Sequence, residues 1–138
     1  MDLVLLKQYA LSMIGKPYFW SGDDPISGFD CSGFASELLR AAGLVPYTYR
    51  SNAQGIYNDL RKAGALEAAG TGSFAFYGKS LNEISHVTFC VDSVTMIEAG
   101  GGGSDTISDA LASAKNAFVR MRPILYRKDF LVSLRPNY

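Results

Sequence analysis

The spacing of the apolar residues changes once along the chain, and that change limits the fold more than any other feature. Up to about residue 63 apolar side chains recur at helical intervals; beyond about residue 73 they fall in short runs rich in aromatic and β-branched residues. Leu3, Leu6, Ala10 and Met13 mark a helix over 2–14, with Asp2 as its cap and Gly15 and Pro17 as its stop. Phe34, Ala35, Leu38, Leu39 and Ala42 mark a second over 31–42, capped by Asp30 and ended by Gly43. A third and weaker helix spans 51–63, with Ser51 as candidate cap and Ala53, Ile56, Tyr57 and Leu60 on its inner face. The runs 73–77, 86–91, 94–99 and 118–124 read as strands of a small antiparallel sheet, while 107–117 fits either a helix or a loop. The expected class is α+β, with amino-terminal helices packed on that sheet and residues 126–138 adding one more packed element through Phe130, Leu131, Val132 and Leu134.

A chain of 138 residues has the length of one domain. Its 48% hydrophobic residues can fill a core, and 13 basic against 13 acidic side chains argue against a nucleic-acid backbone as partner. Arg40, Arg50, Arg61, Lys62, Arg120 and Arg122 are dispersed and read as solvated surface rather than as a basic patch. No run approaches the roughly 20 apolar residues that a membrane span requires. The start, Met1-Asp2-Leu3-Val4-Leu5-Leu6-Lys7, puts an acid where a signal peptide carries positive charge, so the expectation is synthesis in the cytoplasm without self-export. Two cysteines are too few for a disulfide scaffold or a four-ligand zinc site. The Gly100–Gly103 run lacks the partners of a phosphate cradle and reads as a flexible rim loop, so neither metal nor cofactor is expected.

The chemistry narrows to few residues. Cys31 falls in the first turn of the second helix, where unpaired backbone N–H groups and the helix dipole favour thiolate over thiol; the small Ser32 and Gly33 leave that helix end open. Cys90 lies within an apolar run and belongs to the core. The single histidine, His86, begins the same strand and is the one imidazole available as base to a thiol nucleophile. Asp92, Glu98 and Asp105 are the candidates to orient it. If Val91, Asp92 and Ser93 form a three-residue hairpin connection, Cys90 faces Val94 and His86 stands opposite Glu98 on one face; a two-residue turn sends Glu98 to the other face. Glu98 therefore requires an odd loop or a bulge.

Several motifs together resemble the NlpC-type cell-wall cysteine peptidases, a papain-like family that cuts peptides of bacterial peptidoglycan. Gly15-Lys16-Pro17-Tyr18-Phe19-Trp20-Ser21-Gly22 resembles the family's Gly-x-Pro-Tyr-x-Trp-Gly-Gly segment, Phe29-Asp30-Cys31-Ser32-Gly33-Phe34 its nucleophile motif, and Ser85-His86-Val87 its histidine motif. Weaker matches lie at Arg50 to Gln54, Ser73 to Tyr77 and Arg120 to Leu125. The sequence departs from the pattern at Glu98, where the family usually has His, Asn or Gln, and at Thr88 and Phe89, where it tends to smaller residues.

The resemblance implies a papain-like fold and a Cys31–His86–Glu98 set, with Tyr18 and the Cys31 N–H as oxyanion donors and Asp30, Ser32 and Ser85 as substrate contacts. It implies peptidoglycan stem peptides as substrate, cut after γ-D-glutamate. Action in the periplasm or cell wall would then follow phage- or secretion-mediated delivery, with an immunity or delivery protein as partner. The same cysteine–histidine pair also suits amidase or thioesterase chemistry, and an inactive relative that binds peptidoglycan or a protein is the reading from another class.

Overall fold

The computed structural model describes residues 2–138, and its element order follows the change of period. Helix α1 covers Leu3–Ser12, with the Asp2 carboxylate accepting from the Leu5 N–H at 3.0 Å. A two-residue hairpin, β1 (Asp23–Asp24) and β2 (Gly28–Phe29), leads into helix α2 (Cys31–Ala41), and helix α3 covers Ala53–Lys62. The strands β3 (Leu66–Glu67), β4 (Phe74–Gly78), β5 (Ile84–Cys90) and β6 (Thr95–Gly100) come next. They are followed by the short helix α4 (Asp109–Lys115), β7 (Phe118–Pro123), a 3-10 turn (Ile124–Tyr126) and β8 (Phe130–Arg135). The expected α+β class is therefore observed, and the segment that fitted both helix and loop resolves into a loop to Ile107 and a helix capped by Ser108.

The helices cover one face of a six-stranded antiparallel sheet in the order β3-β8-β4-β5-β6-β7. Phe34, Leu38 and Leu39 of α2 and Ile56 and Leu60 of α3 meet Phe74, Phe76, Val87, Phe89 and Ile97 in the main core. Burying apolar area of this kind, at about 25 cal/mol per Å², is the principal force holding helices to sheet. On the opposite face a smaller cluster forms from Ala75, Tyr77, Cys90, Met96 and Ile124. His86, Thr88 and Glu98 share the strand parity of this second cluster. Cys90 is fully buried as expected, and burial pushes its thiol up to about 12.

Two expectations about these elements need correction. The cap of α3 is Asn52, not Ser51, because the Asn52 side chain stands three residues before Gly55 and accepts from its N–H at 2.8 Å. Ser51 instead uses its own N–H to reach the Ser36 hydroxyl at 3.5 Å. The hairpin between β5 and β6 does have a three-residue connection, but it is Asp92-Ser93-Val94, closed by the Val91 N–H donating to the Thr95 carbonyl at 3.0 Å. Asp92 sets that position by accepting from the Val94 and Thr95 N–H groups at 2.9 and 2.8 Å. The β5–β6 pairs Phe89–Ile97 and Cys90–Met96 set a register that, continued, puts Glu98 opposite Thr88 and diagonal to His86, on the same face. The packed element expected in the tail is β8, which lies between β3 and β4.

Candidate active site

Cys31 is the first residue of α2, and the Asp30 side chain in front of it is tied down on every side. Its Oδ1 accepts the Gly33 N–H at 2.7 Å as the helix cap, and its Oδ2 accepts the Ser21 N–H at 3.0 Å. Arg50 adds two further hydrogen bonds to the same carboxylate, at 2.8 and 3.0 Å, and a third to the Ser32 hydroxyl at 3.0 Å. Gly33 is required for packing rather than for access, since a Cβ there would stand 1.8 Å from the Gly22 carbonyl oxygen. That carbonyl accepts from the Asp30 N–H at 3.0 Å, so the loop before the cysteine is pressed against the helix it starts.

His86 and Glu98 meet across the open end of the β5–β6 hairpin. The imidazole Nε2 lies 2.6 Å from Glu98 Oε1, with His86 6% and Glu98 1% exposed. This leaves Nδ1 as the ring nitrogen for the thiol. Burial opposes the imidazolium, but the charge and hydrogen bonding of Cys31 and of Glu98 outweigh it and raise His86 to about 9. Glu98 is shifted the other way: burial favours its neutral acid, yet the hydrogen bonds and charges of His86 and Arg120 hold it below the usual carboxylate range. Arg120, directly paired with Glu98 on the adjoining strand, donates its Nε–H to Oε2 at 2.9 Å. Of the other carboxylates considered, Asp92 serves the hairpin loop and Asp105 pairs with Lys115.

A cleft of about 950 Å³ runs past these groups, bounded by Tyr18 and Trp20 on one strap and by Gly100–Gly103 on another. Ser85 is exposed and lines it beside His86. Tyr18 is held by its N–H on the Ala117 carbonyl at 3.0 Å and is 6% exposed. Burial first, then the charges of Cys31 and Asp30, raise its phenol far above the ordinary value, so it remains a hydroxyl donor. The glycine run is more than a rim: a Cβ on Gly102 would lie 2.3 Å from the Tyr18 ring.

All seven residues singled out in the sequence (Cys31, His86, Glu98, Tyr18, Asp30, Ser32 and Ser85) line this one cleft. Arg50 and Arg120 were expected at the solvated surface and are instead bound to the two acids of the site. No spacing rule could place them there, because each reaches its acid through tertiary pairing, Arg50 from the segment before α3 and Arg120 from β7.

The NlpC/P60 family model matches residues 15–122. Among curated proteins, the bifunctional muramidase/DL-endopeptidase CwlT of Bacillus subtilis is 32% identical over 96 residues, covering 68% of this chain and 28% of that protein. The probable peptidoglycan endopeptidase LytE of the same organism is 29% identical over 94 residues, covering 68% and 26%. The chain thus spans little more than a quarter of the length of the curated relatives it matches. Among solved structures, the NlpC/p60 domain of the peptidoglycan hydrolase SagA superposes with a TM-score of 0.65 at 21% identity, covering 97% of this chain and 98% of that one. An NlpC/P60 family protein from Bacillus cereus gives a TM-score of 0.70 at 19% identity, over 98% of this chain and 40% of its own. No helix among the described residues is long and apolar enough to cross a membrane. With the nucleophile and histidine motifs seated in one cleft and the family model spanning most of its length, the chain belongs to the NlpC/P60 family.

Proposed function

We propose that this chain is a cysteine peptidase that hydrolyses amide bonds in peptidoglycan stem peptides, with the bond between γ-D-glutamate and the following diamino acid as its target. The buried His86–Glu98 contact at 2.6 Å, beside a cysteine that heads a helix, carries the reading. Cys31 attacks the carbonyl carbon as thiolate, and the C–N bond breaks as the His86 imidazolium gives its proton to the leaving amine. Water, deprotonated by His86, then hydrolyses the thioester. Glu98 holds the ring so that one nitrogen faces the thiol throughout. The Cys31 N–H and the Tyr18 hydroxyl receive the developing oxyanion. Asp30, Ser32 and Ser85 contact the peptide, Asp30 while sharing its carboxylate with Arg50. The substrate lies outside the cytoplasmic membrane, so the working enzyme acts in the periplasm or cell wall.

Mass spectrometry of sacculi incubated with the protein tests this. Wild type is expected to release fragments whose masses name the γ-D-glutamyl bond, and Cys31→Ala is expected to release none. Sacculi left intact by a wild type whose Cys31 still alkylates rapidly would exclude the wall peptide and favour another acyl substrate, as of an amidase or thioesterase. Because the mechanism needs the imidazolium as acid, the alkaline limb of kcat/KM is expected near pH 9, where His86 loses its proton.

Gly102→Ala supplies a further test. The new methyl displaces the Tyr18 ring, so kcat is expected to fall about 100-fold, as in Tyr18→Phe, with KM little changed. Full activity in both variants would remove the phenol from the oxyanion site.

A further inference from the structure

A carboxylate at position 98 creates a charge problem that the neighbouring strand answers. A thiolate and an imidazolium are neutral together, and a neutral third residue would leave them so. Glu98 adds a negative charge in a place where it is 1% exposed, and an unbalanced buried charge is costly. Arg120 meets it from the directly paired position of β7, with Nε 2.9 Å from the carboxylate oxygen that does not face His86.

The surroundings are shaped for this pair. A Cβ on Gly100 would stand 2.8 Å from Glu98 Oε2 and 3.1 Å from Arg120 Nη2, and one on Gly101 would stand 3.3 Å from Arg120 Nη1. The last glycine of β6 and the one after it thus leave the room that the ion pair fills. Tyr126 covers the guanidinium, with its ring centroid 5.9 Å away.

Arg122, two residues along β7 on the same face as Arg120, lies against the other side of this cluster with its guanidinium 5.0 Å from the Tyr126 ring centroid. Arg127 stacks over the Tyr77 ring at 5.5 Å and is bound by Asp129 through two bonds, at 2.9 and 2.8 Å. Arg50 is bound by Asp30, and the Tyr77 hydroxyl donates to the Ile124 carbonyl at 2.8 Å. Cys31 and Tyr18 line the same cleft.

We propose that Glu98 and Arg120 form one functional unit, in which Arg120 is a positioning residue: it cancels the charge that Glu98 brings and fixes the carboxylate so that Oε1 faces His86. This rests on the reading of Cys31, His86 and Glu98 as the reacting set. The unit replaces a single neutral side chain by two charged ones, so its members have opposite effects on the imidazole when removed singly.

The chain's one histidine makes the test direct, because untagged protein gives a single imidazole signal to titrate by NMR. Wild type is expected to titrate near pH 9. Glu98→Gln removes an anion and is expected to lower the His86 pKa by about one unit or more. Arg120→Gln removes a cation while the carboxylate stays, and is expected to raise it by about half a unit. The double variant is expected to lie between Glu98→Gln and wild type, and Arg120→Lys, which keeps the charge, close to wild type. Thermal melts run on each variant separate loss of charge from loss of fold, and the double variant set against Glu98→Gln, which isolates the Arg120 cation, carries the comparison if Arg120→Gln alone fails to fold. Arg120→Gln at the wild-type value, or shifted downward as Glu98→Gln is, overturns the unit while leaving the site intact. Wild-type His86 titrating near its ordinary 6.5 instead overturns the assignment of the reacting set, and the unit with it.

Discussion

Replacing His86 by alanine is expected to lower kcat/KM for stem-peptide cleavage by about 10⁴-fold, and adding Cys31→Ala to that variant should lower it little further. Nucleophile and base act as one machine, so removing either forfeits nearly the whole of what they supply together. The variant should still fold, because Glu98 keeps its ion pair with Arg120 when the imidazole is gone. Release of the new amine from a synthetic γ-D-glutamyl peptide measures the rate, and a thermal melt checks the fold. A loss of less than about tenfold would take His86 out of the chemistry.

Asp30→Ala is expected to destabilise the protein by about 3 kcal/mol, seen as a fall of about 10 °C in Tm. One buried carboxylate caps α2, holds the Ser21 N–H and binds Arg50, and the alanine leaves the guanidinium unpaired beside Ser32. Asp30→Asn keeps a capping oxygen and loses the charge, so its loss should be about half as large. Equal melting of Asp30→Ala and wild type would show that the helix end is held by other contacts. The comparison also bears on activity, since Cys31 follows this cap directly in sequence: Asp30→Asn should retain more kcat than Asp30→Ala.

What could be read from sequence was what is written locally. Asp30 three residues before Gly33 gives the cap, and the cap places Cys31 at a helix end. The alternation of β5 and β6 gives the shared face of His86 and Glu98 for any odd connection, so a shift of the three-residue loop by one position changed the partner of Glu98 without changing its side. Ser51 misled because two adjacent polar residues both suit a cap, and only the start of the helical hydrogen bonds decides between them. The roles of Arg50 and Arg120 and the place of β8 in the sheet were not legible, since each depends on a pairing between distant segments: Arg120 reaches Glu98 only once β7 has found its register, and β8 meets β4 across more than fifty residues of chain. The sequence contains the parts of the cleft; the sheet order decides which charges end up inside it.

That sheet order has a consequence for how the protein comes into being. β4 pairs with β5 through a local connection, but its other edge stays bare until residues 130–135 arrive to fill the slot beside it. During synthesis the ribosome must release almost the whole stretch described here before this edge is covered, and until then Phe74, Phe76 and Tyr77 sit in a strand with open hydrogen-bonding groups. Nascent chains halted short of β8 are therefore the form most prone to stick to one another. The Cys31–His86 pairing, although drawn from segments made much earlier, rests on a sheet that is finished last.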